Sequence, residues 1–326
     1  MHTFLNRNII SFALVAASAV LLHVQAAEDY PTRPIRMLVG FSAGGATDAQ
    51  ARLVAQTLSE RLGQSVIVEN RPGAGGSIAA GAVAKSAPDG YTLLYSSAAL
   101  TINSALYKKL PFDPIADFAP ITRVASTLSA LVVHPSIPAR TAAEFINYVK
   151  ANPGVVTMGS PGVGSSGYMS QLQFNTMAEI QVNHVPYKGT NDLIRDMLSG
   201  QIKSSVDAAT VYLPYIKEGK LLALCVGELK RSSLLPGVPT CDESGLPGYV
   251  VRSWGGILAP AGTPKPVLDK LSKEISEVLK NPSLVQKINA GGAQVVGTPP
   301  EEFAAMIKQD VEIFEDLVKR AGIEKQ

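Results

Sequence analysis

The chain has 326 residues, 46% of them hydrophobic and 17% charged, with 29 basic against 27 acidic side chains. That length implies about two domains. The near-neutral balance lacks the basic surface that nucleic-acid binding requires, so no nucleic-acid partner is expected, and the apolar content with small net charge excludes a disordered chain.

Residues 1–26 stand apart from the fold. The first eight are polar and include Arg7, Ile9 to Val24 is apolar, and Val24-Gln25-Ala26 places small residues where a signal peptidase reads. This is the plan of a secretory signal peptide cleaved after Ala26. The 16-residue apolar run is shorter than the roughly 20 residues of a membrane span. An exported, soluble mature chain is expected.

Ile35 to Val39 predicts a buried strand, followed by a Gly loop and a helix from about Thr47 to Leu62, where Ala51, Val54, Ala55 and Leu58 recur at helical spacing and Gly63 stops the helix. Val66 to Glu69 reads as a strand, Ile78 to Ser86 as a helix and Tyr91 to Tyr95 as a strand. This βαβαβ opening implies a parallel sheet. The theme restarts with a strand at 131–133, a helix at 141–151, a strand at 155–158 and a helix at 166–177. A strand at 182–185, a helix at 191–199 and strands at 204–207 and 222–226 follow, then long amphipathic helices at about 265–280 and 300–320. Two α/β units with a C-terminal return suggest paired lobes. They are expected to divide near residue 128 and rejoin near 251, with hinge strands at Ala130–Pro135 and Ser253–Pro260: lobe one is 27–128 plus 252–326, and lobe two is 129–251.

Few motifs carry chemistry. His134 and His184 are the only histidines beyond residue 26, each beside a Pro, and no G-x-S-x-G, H-E-x-x-H or P-loop accompanies them. A structural role is expected for both. Gly162-Val163-Gly164-Ser165-Ser166-Gly167 matches the dinucleotide fingerprint, but the next strand ends in Pro186-Tyr187-Lys188 and offers no acid to a ribose. The same loop, with Ser160, exposes several N–H groups at a helix N-terminus, where anions are stabilised. Phe41-Ser42-Ala43-Gly44-Gly45-Ala46-Thr47-Asp48 is a matching junction, in which Asp48 can instead cap its own helix. Neither junction brings a fixed cation, so a small carboxylate is expected in preference to a polyphosphate, and no cofactor or metal is expected. Cys225 and Cys241 are the only cysteines, the second placed at the start of a predicted helix. An oxidising compartment permits their disulfide, and two separate buried thiols fit the sequence equally.

Taken together, several ordered motifs resemble the Bug family of extracytoplasmic solute receptors, the substrate-binding proteins of tripartite tricarboxylate transporters. They are Val39 to Gly45 with Asp48 and Ala51-Arg52, Glu69 to Gly76, Pro88 to Leu94, Ser160-x-Gly162-x-Gly164-Ser165, His184 to Gly189, and Trp254 to Pro264. The resemblance runs from about Tyr30 to the last helix. It implies an α/β, two-lobed type 2 periplasmic binding protein (a Venus flytrap) without catalytic activity, located in the periplasm. Carboxylates in that family are held by loop amides and ordered waters. The matching positions are Phe41, Ser42, Ala43, Gly44, Gly45, Asp48 and Ser97 in lobe one, and Ser160, Gly164, Ser165, Tyr187 and Asp207 in lobe two. Gly40 stands in place of a usual Pro, Tyr168 of a common His and Lys203 of an acid, and Ala208-Ala209-Thr210 is an unusual run.

The implied ligand is a dicarboxylate, an amino acid or an aromatic acid, and the implied partners of a monomeric receptor are the membrane permease subunits. The alternatives are a receptor presenting ligand to a sensor kinase and, from the enzyme class, a secreted dinucleotide-binding protein. The role of Asp207 is open between orienting Tyr187, Lys188 or a water, receiving an ammonium or ring N–H of the ligand, and capping the next turn.

Overall fold

The computed structural model describes residues 30–187, 189–251 and 253–325. The signal-peptide reading of residues 1–26, and Lys188, lie outside them. In chain order the first stretch contains β1 (Ile35–Val39), α1 (Ala46–Leu62), β2 (Val66–Asn70), α2 (Ser77–Ala84), β3 (Thr92–Ser97), α3 (Ala99–Leu106) and β4 (Phe118–Thr127). The middle stretch contains β5 (Ser129–Val133), α4 (Ala142–Ala151), β6 (Thr157–Ser160), α5 (Ser166–Ala178), β7 (Asn183–Pro186), α6 (Thr190–Leu198), β8 (Ser204–Ala208), α7 (Ala209–Lys217) and β9 (Leu222–Val226). The chain then returns through β10 (Trp254–Pro260), α8 (Lys265–Val278), α9 (Pro282–Ala290), β11 (Ala293–Val295) and α10 (Pro300–Arg320).

These elements form two sheets, ordered β11-β4-β10-β3-β1-β2 and β7-β6-β8-β5-β9. The fold is two-lobed α/β. Strand β1 is parallel to β2 and β3, as the βαβαβ opening requires, and β10 enters antiparallel between β3 and β4. The chain passes from one sheet to the other at Leu128 and comes back between β9 and β10.

Side-chain alternation divides each sheet between two cores. Ile35, Met37 and Val39 of β1 pack with Val54 and Leu58 of α1, and with Leu271 and Ile275 of α8. Leu38 faces the other way, toward Val83, Ile102 and Phe314. All four β1 residues are buried, which is how a central parallel strand reads. In the second sheet Leu131 and Val133 face Phe145, Phe174 and Tyr249, while Ala130 and Val132 face Leu193, Met197 and Tyr212.

The return strand explains the Trp254-Gly255-Gly256 motif. A Cβ on Gly255 would lie 2.7 Å from the Tyr95 hydroxyl, and one on Gly256 would lie 2.4 Å from the Phe303 ring. Rings therefore cover both faces of β10 where only hydrogen fits. Trp254 packs edge-to-face on Phe303 at 5.1 Å and donates its indole N–H to buried Asp310 at 2.8 Å, which fixes the second crossing to α10.

The structure also adds elements that the pattern reading left as connections: β4, α3, α7, α9 and β11. One expectation is corrected. Cys241 does not open a helix; residues 241–245 form turns, held because Cys241 N–H donates to the Val226 carbonyl and Thr240 bridges Val226 beside β9. That bridge brings Cys241 to Cys225, and the two form a disulfide inside the core shared with Phe145 and Tyr249. Cross-linking positions 16 residues apart is worth about 3 kcal/mol in the chain-entropy account. The Cys225→Ala/Cys241→Ala variant should lose stability of that order in denaturant unfolding, and addition of reductant should lower the midpoint of the native protein but not that of the variant.

Candidate ligand-binding site

The first candidate loop leaves the C-terminal end of β1, where ligands collect in open α/β sheets. Residues Ser42 to Ala46 are exposed, and Gly44 has φ 84°, a left-handed conformation that favours glycine. Asp48 is buried beneath the loop and does not act as the N-cap of α1, a position occupied by Gly45. One carboxylate oxygen accepts the Gly44 N–H at 2.8 Å and the Arg52 Nε–H at 3.0 Å; the other accepts from Asn70 Nδ2 at 2.8 Å. Asn70 also donates to the Phe41 carbonyl at 3.0 Å and accepts from Arg52 Nη2 at 2.8 Å. Burial alone would raise the pKa of Asp48, but the hydrogen bonds from Arg52, Gly44 and Asn70 and the charge of Arg52 hold it below the ordinary aspartate value.

This frame grips the loop from behind and, with the Gly45 N–H donated to the Ser42 carbonyl, leaves the exposed backbone of Ser42 and Ala43 at the surface. Asn70 and Arg52 belong to the motifs that carried the resemblance, yet the sequence reading gave them no role. The i,i+4 spacing of Asp48 and Arg52 was a readable signal. The link to Asn70, 22 residues from Asp48, was not. Behind the loop, Gly40 meets the 73–76 turn so closely that a Cβ would lie 2.5 Å from Gly76 Cα. Ser97, at the end of β3, accepts the Ala99 N–H at 3.3 Å.

The second loop leaves β6 in the same way. Gly162 (φ 128°) and Gly164 (φ 84°) shape it, and the Tyr187 carbonyl stands where a Gly162 Cβ would be, 2.9 Å away. Ser165 is the N-cap of α5: its hydroxyl accepts the Tyr168 N–H at 3.1 Å and donates to the Gly162 carbonyl at 2.7 Å. Buried Ser160 shares a 2.8 Å hydrogen bond with His184 Nε2. Both hydroxyls thus brace the loop. Helix geometry leaves the first-turn N–H groups of α5 without carbonyl partners within the helix. The two halves approach through α3, because Asn103 donates to the Gly75 carbonyl at 2.9 Å and Leu106 lies 3.7 Å from the Gly164 Cβ position.

The histidines have structural settings. His184 also lies 5.1 Å from the Tyr168 ring, and burial holds its pKa below the usual value. His134 Nδ1 pairs with Ser136 at 2.8 Å. The glycine fingerprint does open α5 after a strand, but β7 ends at Pro186 with Tyr187 next, where a ribose would need an acid. Among the described residues no group of three or more His, Cys, Asp or Glu side chains is placed to hold a metal ion.

Tyr187 and Asp207 are separated in function. The Tyr187 hydroxyl donates to Asp196 at 2.8 Å, and burial together with that carboxylate pushes its pKa up to about 12. Asp196, not Asp207, therefore orients Tyr187, which corrects one of the roles considered for Asp207. Asp207 is 7% exposed and lines a small cavity of about 60 Å³ with Ser166 and Gly167 of α5, Thr127 and Ser129 at one crossing, and Val251 and Ser253 at the other. It accepts from Thr190 at 3.4 Å and from the Ala208 N–H, so the turn-capping reading describes one of its contacts. Burial pushes its pKa up to about 6 despite these bonds.

Two outcomes are expected. Asn70→Ala strips three hydrogen bonds from the first frame and should cost about 1–3 kcal/mol in chemical denaturation. Asp207 holds its proton in the folded state up to about pH 6, whereas the unfolded chain releases it near the ordinary aspartate value of 3.8. Its contribution to stability therefore falls as pH rises between those values and stays low above them. Asp207→Asn should gain on the native protein across that window, by on the order of 2 kcal/mol at its upper end, as read from melting curves at stepped pH.

Residues 50–323 match the family described as Tripartite tricarboxylate transporter family receptor, TctC. Among solved structures, the chain is similar to periplasmic binding protein BugD, with 37% identity, 91% of this chain and 100% of that chain covered, and a TM-score of 0.77. It is similar to Rpa4515 of R. palustris with adipate, at 34% identity, 91% and 100% coverage, and a TM-score of 0.79. MatC of Rhodopseudomonas palustris with bound malate matches at 32% identity, 89% and 100% coverage, and a TM-score of 0.76. With its family profile spanning most of the chain and its fold shared with these proteins, the chain belongs to the tripartite tricarboxylate transporter receptor family, that of TctC and the Bug proteins.

Proposed function

We propose that the protein is a periplasmic solute receptor that captures a small organic carboxylate between its lobes and delivers it to the membrane subunits of a tripartite transporter. The observation that carries this reading is the pair of strand–glycine loop–helix junctions at Phe41–Asp48 and Ser160–Ser166. In each, a buried or capping polar side chain (Asp48 in the first, Ser160 and Ser165 in the second) holds the loop from within, and part of the loop backbone reaches the surface. Amides aimed from a helix N-terminus suit a carboxylate, which needs hydrogen-bond donors more than a full counter-charge. The malate of MatC and the adipate of Rpa4515 are small dicarboxylates. The signal-peptide reading and the likeness to periplasmic binding protein BugD support periplasmic residence.

The ligand contacts we assign are the backbone amides of Ser42 and Ala43 and of Gly164 and Ser166, with Ser97 and Tyr187 at the margins; the Gly44, Gly45 and Ser165 N–H groups are spent on shaping their loops. Asp48, Ser160 and Ser165 act by positioning these loops. Lobe closure would turn on the crossings near residues 128 and 251, beside the cavity that Asp207 lines. Asp207 is the group to which a ligand ammonium would be drawn.

A thermal-shift series over malate, adipate and related mono- and dicarboxylates tests the reading. A ligand at about 100 times its Kd should stabilise the native form by about 2.7 kcal/mol, and a flat series would overturn carboxylate capture. X-ray scattering with a saturating hit should show a smaller radius of gyration than the free protein, and superimposable curves would remove the closure motion.

A further inference from the structure

The candidate loops do not line one sizeable cavity of the molecule. That cavity, of about 820 Å³, is built by both lobes beside the crossings. Strand order places it on their other side. The carboxylate loops follow β1 and β6, whereas the cavity lies at the β11–β4 edge of one sheet and against the loop that follows β9 in the other. Its volume falls in the range of about 300–1,000 Å³ usual for small-molecule sites.

The lining has a definite chemistry. Leu128, Val251 and Trp254 are buried apolar walls, and Met306 adds a half-buried one. Glu228 lies within electrostatic reach of Arg123 and accepts the Ser126 hydroxyl at 3.5 Å. Arg231 is engaged by Glu243 at 2.9 Å. Lys230 is exposed and makes no hydrogen bond or ion pair with any other described residue. Among the described residues, the site therefore combines an apolar floor with one uncommitted cation, Lys230, at its rim. That differs from the candidate loops, which offer amides and where Arg52 is already engaged by Asp48 and Asn70.

We propose that this cavity is a second small-molecule site, taking an organic anion with an apolar body. The anionic group pairs with Lys230, and the body displaces water from Leu229, Leu234 and Met306, over the buried floor of Leu128, Val251 and Trp254. Leu128 and Val251 belong to the two crossings, so an occupant touches the segments about which the lobes would move.

The test uses 8-anilinonaphthalene-1-sulfonate, an aryl sulfonate, as the probe. Trp254 is the only tryptophan of the chain, so a dye seated against it quenches its emission by energy transfer. The expected result is saturable binding of one dye per chain, weakened about tenfold by Lys230→Glu, as loss of a charge-assisted contact implies. Gln294→Phe, which places a ring on the lining from an exposed position, should weaken binding several-fold, with the melting temperatures of both variants unchanged. Absence of saturable binding to the folded protein overturns the proposal. So does equal dye affinity in the native protein and both variants, and displacement by malate alongside that equality would place the dye in the carboxylate cleft instead.

Discussion

The architecture depends on the return of β10. A chain that leaves its first sheet after β4 leaves β3 and β4 without a shared neighbour, and a gap between them would strand a row of backbone donors and acceptors. Strand β10 fills that gap and pairs with both. The space is narrow, since Tyr95 and Phe303 lie over its two faces, and glycines at 255 and 256 are what allow the strand to enter. Trp254 then locks the entry point against Asp310. From this closure follow the completed six-stranded sheet, the placement of both crossings side by side, and the existence of two lobes with separate cores.

Against this scaffold the two candidate loops solve one problem twice. A loop that offers its amides outward needs a firm attachment behind it. In the first lobe a buried carboxylate, an amide and a guanidinium form a closed ring of hydrogen bonds around Asp48. In the second the task falls to two hydroxyls, one capping α5 and the other held by His184. The chemistry of the supports differs, while the backbone path of strand, glycines and helix is the same. Polar side chains near such a loop are therefore poor guides to ligand contact until their own partners are known.

Much of the fold was legible because burial leaves a periodic record. Strand β1 is a buried apolar run broken only by exposed Arg36, and α1 repeats its buried residues at helical spacing before Gly63. Strand β4 was hidden: it contains Pro120, Thr122, Arg123 and Ser126, and its pairing with β10 is interrupted by two irregularities that break any simple period. Helix α7 was hidden by the internal Pro214, and α9 by an Asn-Pro pair that reads as a turn although Asn281 in fact caps the helix. At the candidate site the glycine loops were legible from composition alone. Their supports were not, because Asn70, Asp196 and His184 reach partners distant in sequence, and nothing local marks such a bond.

The position of the disulfide bears on the order in which the molecule can be assembled. In an exported chain, passage across the membrane delivers the N-terminus to the oxidising compartment first, so β1 to β4 arrive before β10 and cannot complete their sheet until it follows. The five-stranded sheet, by contrast, is drawn from one uninterrupted stretch ending at β9. Cys225 and Cys241 both lie in or just after that stretch. They are also the only two cysteines, so their oxidation presents no choice of partner and needs no reshuffling. The middle lobe can therefore be folded and covalently closed while the flanking lobe still waits for its last quarter, giving the late-arriving return strand a finished neighbour to fold beside.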